Sequence, residues 1–190
     1  MFENRINPYD IFEKPGNGSP RNGYTHQYNT ALSRFRSSLH RGEISRLKNR
    51  ITHKPQWLYD LNVLKPDLSL RGSFYAGIQV VSVRSIIGSE GKTCDFDMGF
   101  HPIHESSQDR WVSMAMAYLR LLPLPPIQLI QVGDAYFVRD GHHRISVSLA
   151  FGQTSMDAEV ITWQAVPPFP WQPEAVQQEF LLRKRLDPSA

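Results

Sequence analysis

The chain has 190 residues, 41% of them apolar, and a formal net charge of +3. A single cysteine, Cys94, excludes an intramolecular disulfide. No apolar run reaches the length of a membrane span, and residues 1–5 do not open a signal peptide. We therefore expect a soluble, cytoplasmic protein without a membrane partner.

The positive charge is concentrated in one segment. Residues 29–54 hold seven basic residues and one acidic residue, a balance of 7 − 1 = +6, whereas residues 55–190 balance at 11 − 14 = −3. Such a block is typical of contact with nucleic acid, although a solvated helix face is the alternative. The residues that we expect to contact DNA are Arg34, Arg36, Arg41, Arg46, Lys48 and Arg50.

The N-terminal part is predicted to be irregular at first and then helical. Residues 1–28 are rich in Gly, Pro and Asn, which predicts a flexible tail. Residues 29–75 are predicted to form a basic helical extension followed by a connector over 52–75. Gly42 is expected to divide the helical part into two short helices. The apolar residues that recur at roughly helical spacing are Leu32, Phe35, Leu39, Ile44, Leu47 and Ile51.

Residues 76–165 are predicted to form the main domain. Its expected elements are a strand over 78–83, an irregular stretch over 84–99, a helix over 107–122, a hairpin of 127–132 and 135–139, a helix over 142–151 and a strand over 158–163. Gly133-Asp134 supplies the hairpin turn, and Gly152 follows the second helix. Residues 166–190 are predicted to be a linker, whose aromatic residues pack on the body, and a short C-terminal helix.

The motif Asp140-Gly141-His142-His143-Arg144 joins the hairpin to the second helix and is the strongest functional signal. The first turn of a helix favours an anion through its N–H groups and the helix dipole. Gly141 lets the backbone approach a ligand closely, and Arg144 can hold a phosphate with two donors. Asp140 can cap the helix, orient a histidine or ligate a metal. Alternatively, Asp140 and Arg144 only brace the hairpin.

The two histidines of the motif are candidates for proton transfer, because histidine titrates near neutral pH. Neighbouring helical residues point about 100° apart, so we expect only one histidine to face a ligand. We select His142 as the candidate catalytic residue, with His143 beside it. Ordinary polar side chains at a helix start are the alternative.

A second group of polar residues lies between Asp95 and Arg110. Asp95 or Asp97 can hold a metal, and Asp97 is the candidate ligand that we select. Glu105 is a candidate catalytic base, and Arg110 can compensate phosphate charge. The histidines of this segment match none of the helical zinc spacings, and a solvated acidic loop is the alternative.

The order of these elements, with the Asp-Gly-His-His-Arg motif, resembles the ParB/sulfiredoxin superfamily over roughly residues 77–163. The resemblance implies that the Gly-x-x-Arg segment, here Gly141 and Arg144, binds the phosphates of CTP or ATP with Mg²⁺. It also implies a possible homodimer. Sulfiredoxins have a catalytic cysteine where this chain has His142, so we do not expect sulfinic-acid repair. The segment after Trp163 is shorter than the DNA-binding domain of partition proteins, so a complete partition protein is not expected either.

We therefore expect an α+β, ParB/sulfiredoxin-like domain with a basic helical N-terminal extension and a short C-terminal helix. Its expected function is to bind a nucleotide and to contact DNA through the basic helices. The motif also resembles the Asp-Gly-His-Thr-Arg sequence of free-serine kinases, so a phosphotransferase stays open, as do an NTPase, a nuclease and a non-catalytic adaptor. The expected nucleotide-site residues are Asp140, Gly141, His142, His143, Arg144 and Arg110.

Overall fold

The structure is a computed structural model that describes residues 21–91 and 93–172. In this part of the chain the helices are α1 (Arg21–Ile51), α2 (Leu61–Leu64), α3 (Gln108–Leu119) and α4 (His142–Ala150). The strands are β1 (Tyr59–Asp60), β2 (Ser69–Ser82), β3 (Ile86–Ser89), β4 (Ile127–Val132), β5 (Ala135–Asp140) and β6 (Ser155–Val166). The predicted C-terminal helix and residues 1–20 of the predicted tail lie outside the described residues.

The six strands form one mixed sheet in the order β1-β3-β5-β4-β6-β2. β4 and β5 are an antiparallel hairpin, and β5 continues in parallel fashion to β3 and then to β1. On the other side β4 pairs in parallel with β6, and β6 pairs in antiparallel fashion with the long β2. With its helices, this sheet makes the fold mixed α and β, as an α+β prediction requires.

Alternate residues of the central strands face two different cores, as the two-residue period of a strand dictates. Leu129 and Val138 face a core that Ile145 of α4 completes. Ile130 and Phe137 face the opposite core. A third core lies between the helices, where the ring centroids of Phe35 on α1 and Trp111 on α3 are 5.6 Å apart. The same core contains Ala31, Met114, Ala115 and Val147.

The hairpin and the helix after it agree with the prediction. Gly133 has a φ of 61° in the turn between β4 and β5, and Gly152 has a φ of 88° just past α4. Both glycines therefore adopt the left-handed conformation that their turn and cap positions favour. Phe169 is buried in the core that contains Ile130 and Phe137, and the ring centroids of Trp171 and Phe137 are 5.2 Å apart. The linker thus packs on the body, as predicted.

The helical extension differs from the prediction in three ways. α1 begins at Arg21, inside the segment predicted as a tail, and it runs unbroken past Gly42. Ile44, Leu47 and Ile51 are exposed and do not continue the buried stripe. Gly42 lies where α1 meets a neighbouring loop, since a Cβ there would approach Cβ of His101 to 2.7 Å. The glycine therefore serves close packing and does not break the helix.

The segments predicted as connector and irregular loop contain three of the strands. β1 and the first half of β2 lie within residues 52–75, and β3 lies within residues 84–99. Gly88 of β3 weakens the strand pattern in the sequence, but its backbone is closely packed. A Cβ there would lie 2.4 Å from Cδ1 of Phe137. Within the described residues, no helix is both long and apolar enough to cross a membrane.

Candidate functional site

The motif forms a sharp turn between β5 and α4. Asp140 ends the strand, His142 begins the helix, and Gly141 between them has a φ of 107°. A Cβ on Gly141 would lie 2.6 Å from Cγ2 of Ile127, so both the backbone angle and the available space require glycine. The turn places the positive end of the α4 dipole beside the exposed Asp140 carboxylate.

Arg144 lies below this turn and braces it from the inside. Its side chain is buried, and Nη2 donates to Oδ2 of Asp140 at 2.5 Å. Nη1 donates to the carbonyl oxygens of Pro125 and of Pro126, the latter at 2.7 Å. The guanidinium thus ties α4 to the start of β4, as the bracing alternative expected. Its direct contact with a phosphate stays a prediction.

His142 is buried under the turn. Its Nε2 lies 2.7 Å from Oγ of Ser89, the last residue of β3. Its ring stacks on Phe96 with the centroids 6.1 Å apart, and the rings of Phe96 and His143 form a T-shaped pair with the centroids 5.1 Å apart. The structure therefore gives His142 a packing and positioning role, because a buried imidazole bonded to Ser89 is not presented to solvent. Its catalytic role stays a prediction.

A surface ion pair lies beside the motif. Nε of Arg139 on β5 donates to Oε2 of Glu90 at 2.8 Å, just beyond the end of β3. This hydrogen bond raises the pKa of Arg139 above its ordinary value. Because the pair is partly exposed, it contributes little to the stability of the fold. It links β5 to the end of β3 beside the motif.

Asp97, the predicted metal ligand, lies at the centre of a hydrogen-bonded network of protein groups. Its side chain is 2% exposed, and Oδ1 accepts the backbone N–H groups of Gly99 and His101, each at 2.9 Å. Nδ1 of His101 lies 3.0 Å from Oδ1, and Nη1 of Arg46 lies 3.5 Å from Oδ2. Protein groups contact both oxygens, and the role of Asp97 as a metal ligand stays a prediction. The described residues contain no group of three or more His, Cys, Asp or Glu side chains arranged to hold a metal ion.

The other predicted residues of this segment lie on the surface. Glu105 opens a short 3₁₀ turn, Glu105–Ser107, that precedes α3, and it is exposed. Arg110 is exposed on the first turn of α3. Their predicted roles in catalysis and in charge compensation stay predictions.

The basic residues of α1 do not form a single stripe. Arg34, Arg41 and Lys48 recur at heptad spacing and so share one side of the helix, whereas Arg36 and Arg50 lie elsewhere on its surface. These five side chains are exposed. Arg46 is different, since its side chain is 16% exposed and lies between Asp97 and the ring of Trp57. Arg46 thus faces Asp97 and Trp57, and its contact with DNA stays a prediction.

Sequence reasoning missed Ser89 and Phe96, which hold the two histidines of the motif. No motif marks either residue, although Phe96 stands next to an aspartate that the sequence did single out. It also missed the pairing of Arg46 with Asp97, because the two lie far apart in the chain.

Comparisons with protein-family models, with curated proteins and with solved structures found no match.

Proposed function

We propose that this chain is a ParB/sulfiredoxin-like module that binds the phosphates of CTP or ATP at the turn between β5 and α4. The observation that carries the proposal is the conformation of the backbone at Gly141. Its φ of 107° and its close neighbours disfavour any residue other than glycine. A backbone without a side chain at the positive end of a helix dipole is the arrangement that phosphate groups favour.

Asp140 and Arg144 have complementary roles in this proposal. Arg144 supplies positive charge below the turn and holds the Asp140 carboxylate through its Nη2. The Asp140 side chain is 62% exposed, so its carboxylate can reach a cation carried by a nucleotide. Magnesium is commonly held by one or two carboxylates together with substrate phosphates, and a single exposed aspartate fits that mode. Mg²⁺ would neutralise phosphate charge there.

Nucleotide binding is tested by isothermal calorimetry with CTP and with ATP, each with and without Mg²⁺. We expect binding that depends on Mg²⁺ and that weakens about tenfold in Asp140→Asn, through loss of one charged contact. Asp134→Asn is the matched control, because Asp134 is also exposed but lies in the turn at the other end of the hairpin. The proposal is refuted if no nucleotide produces binding heat and none raises the Tm.

The same samples separate a binding module from an enzyme. Chromatography of CTP and ATP after incubation with Mg²⁺ should show both nucleotides unchanged. A product that wild type forms and Asp140→Asn does not would contradict the binding-module proposal and favour a phosphotransferase or a nuclease.

We also propose that the exposed basic residues of α1 contact DNA. Neutralising DNA phosphates releases counterions, so the affinity for a duplex should fall steeply as salt is raised. Fluorescence anisotropy should show a smaller salt slope for Arg36→Ala combined with Arg50→Ala. The control combines Arg71→Ala with Arg84→Ala, two exposed arginines outside α1. Equal slopes for both double variants would remove α1 as the DNA contact.

A further inference from the structure

A small cavity lies between α1, α4 and the loop that contains His101, away from the Gly141 turn. Its volume is ≈ 40 Å³, and its apolar side is formed by Leu149 and Ala150 of α4. The polar side chains that line it are Ser38, Arg41, His101 and Ser146. A site for one water needs only about 10–15 Å³, so the cavity has room for a group larger than a single water.

The imidazole of His101 is held in one orientation beside this cavity. Nδ1 lies 3.0 Å from Oδ1 of Asp97 and 3.2 Å from Oδ2. The His101 backbone N–H donates to the same carboxylate at 2.9 Å. Because Nδ1 faces a buried carboxylate, Nε2 is the ring nitrogen left for a ligand, and a carboxylate partner of this kind fixes the tautomer.

Two glycines leave the space that the His101 ring occupies. A Cβ on Gly99 would lie 2.7 Å from both Cε1 and Nδ1 of the ring, and a Cβ on Gly42 would lie 2.7 Å from Cβ of His101. Any larger residue at either position would displace the histidine or the helix. The orientation of His101 is therefore set by its neighbours on both sides and by Asp97.

The remaining polar groups favour an anion. Ser38 and Ser146 are buried hydroxyls, and Oγ of Ser146 accepts Nε1–H of Trp111 at 2.8 Å, which leaves its own O–H hydrogen to donate. Arg41 adds a guanidinium from the exposed side of α1. The nearby negative charge, on Asp97, is partnered by Arg46 and His101. The lining thus offers donors and positive charge.

We propose that this cavity binds a single tetrahedral oxyanion of phosphate size, either free phosphate or the phosphate group of a small phosphomonoester. Arg41 neutralises the anion and the hydroxyls of Ser38 and Ser146 donate to its oxygens, while the His101 ring forms one wall of the site. The cavity is too small for a nucleoside, so this site is separate from the nucleotide site proposed at Gly141 and does not depend on it.

The test is a titration of the full chain with inorganic phosphate and, separately, with methyl phosphate. Calorimetry gives the affinity, and imidazole ¹⁵N resonances, assigned with His101→Gln, report on the cavity itself. We expect the His101 resonances to shift on binding. We also expect Arg41→Ala to weaken binding about tenfold or more, since a hydrogen bond to a charged group is lost. Tighter binding of inorganic phosphate would identify free phosphate as the ligand, and tighter binding of methyl phosphate would identify a phosphomonoester.

Arg71→Ala is the control, because Arg71 is an exposed arginine of β2 that belongs to no proposed site and does not line the cavity. It should keep the wild-type affinity within about twofold, the difference that remote charge removal produces at moderate salt. The site is disproved if neither ligand moves the His101 resonances. Equal losses in Arg71→Ala and Arg41→Ala would also overturn it, because they would indicate general charge attraction. Arg41 is exposed, so its removal leaves the fold intact, which circular dichroism verifies.

Discussion

Nε2 of His142 and Oγ of Ser89 lie 2.7 Å apart in the interior, joining the first residue of α4 to the last residue of β3. The contact fixes the start of the motif helix against the parallel strand beside β5. A catalytic histidine of a surface site would be presented to its substrate, whereas this ring is stacked on Phe96. The relationship therefore gives His142 a structural role in holding the turn, while its catalytic role stays a prediction.

Ser89→Ala should lower the free energy of unfolding by about 1–3 kcal/mol, because it removes a buried hydrogen bond and leaves a polar ring atom without this partner. Urea denaturation followed by circular dichroism measures the change. Ser107→Ala is the control, since the Ser107 hydroxyl makes a local bond to the His104 carbonyl at the surface. The control should stay within about 0.5 kcal/mol of wild type. Similar values for both variants would show that the contact contributes little.

Gly141→Ala should destabilise the fold more than Gly152→Ala. Both glycines have positive φ, at 107° and 88°, so both substitutions carry the left-handed strain of about 1–2 kcal/mol. Only at Gly141 would the new Cβ meet Ile127, whereas nothing lies within 4 Å of a Cβ on Gly152. Thermal and urea denaturation of the two variants give the difference, which isolates the steric part. Equal destabilisation would mean that the turn relaxes around the extra carbon.

Gly23→Ala and Gly42→Ala should change stability in opposite directions. Both positions lie in α1, where alanine is favoured over glycine by about 0.5–1 kcal/mol. A Cβ on Gly23 meets nothing within 4 Å, so Gly23→Ala should stabilise the protein by up to that amount. At Gly42 the Cβ would press on His101, and overpacking of this kind costs about 1–3 kcal/mol. Stabilisation by both changes in urea denaturation would contradict the packing of α1 on the loop.

Arg144→Lys should destabilise the fold by about 1.5–3 kcal/mol, because one ammonium group cannot reproduce the hydrogen bonds to Pro125, Pro126 and Asp140. Arg139→Lys is the control, as its pair with Glu90 is partly exposed and should contribute at most about 1 kcal/mol. Urea denaturation of both variants measures the difference. A tolerated lysine at position 144 would show that the bracing needs charge alone.

Local signals account for the parts of the fold that the sequence predicted well. Gly133-Asp134 marks the hairpin turn, and Gly152 marks the end of α4, because each acts through the conformation of its own backbone. Gly42 and Gly88 misled the prediction for the opposite reason. Their value lies in contacts with residues far away in the chain, His101 and Phe137. A glycine that breaks a helix and one that admits a neighbour look the same in a sequence.

In the candidate site, too, the backbone was predictable from the sequence and the side-chain contacts were not. The turn at Gly141 follows from a strand, a glycine and a helix in succession, and all three are visible in the sequence. The direction of each side chain is not visible there. Arg144 turns inward to backbone carbonyl oxygens, and Asp97 turns toward donors on its own loop and on α1. Charge and spacing identify such residues as candidates, but only packing decides which partner they meet.

The position of β2 at the sheet edge has a consequence for synthesis of the chain. β2 pairs with β6 along almost its whole length, from Ser69 with Val166 to Ser82 with Ser155. During translation β2 therefore leaves the ribosome well before the strand beside it exists. For that interval a long segment containing Phe74, Ile78 and Val80 has no β6 to pair with, which favours contact with chaperones or with other nascent chains. Slow elongation between residues 82 and 155 should therefore lower the yield of folded protein.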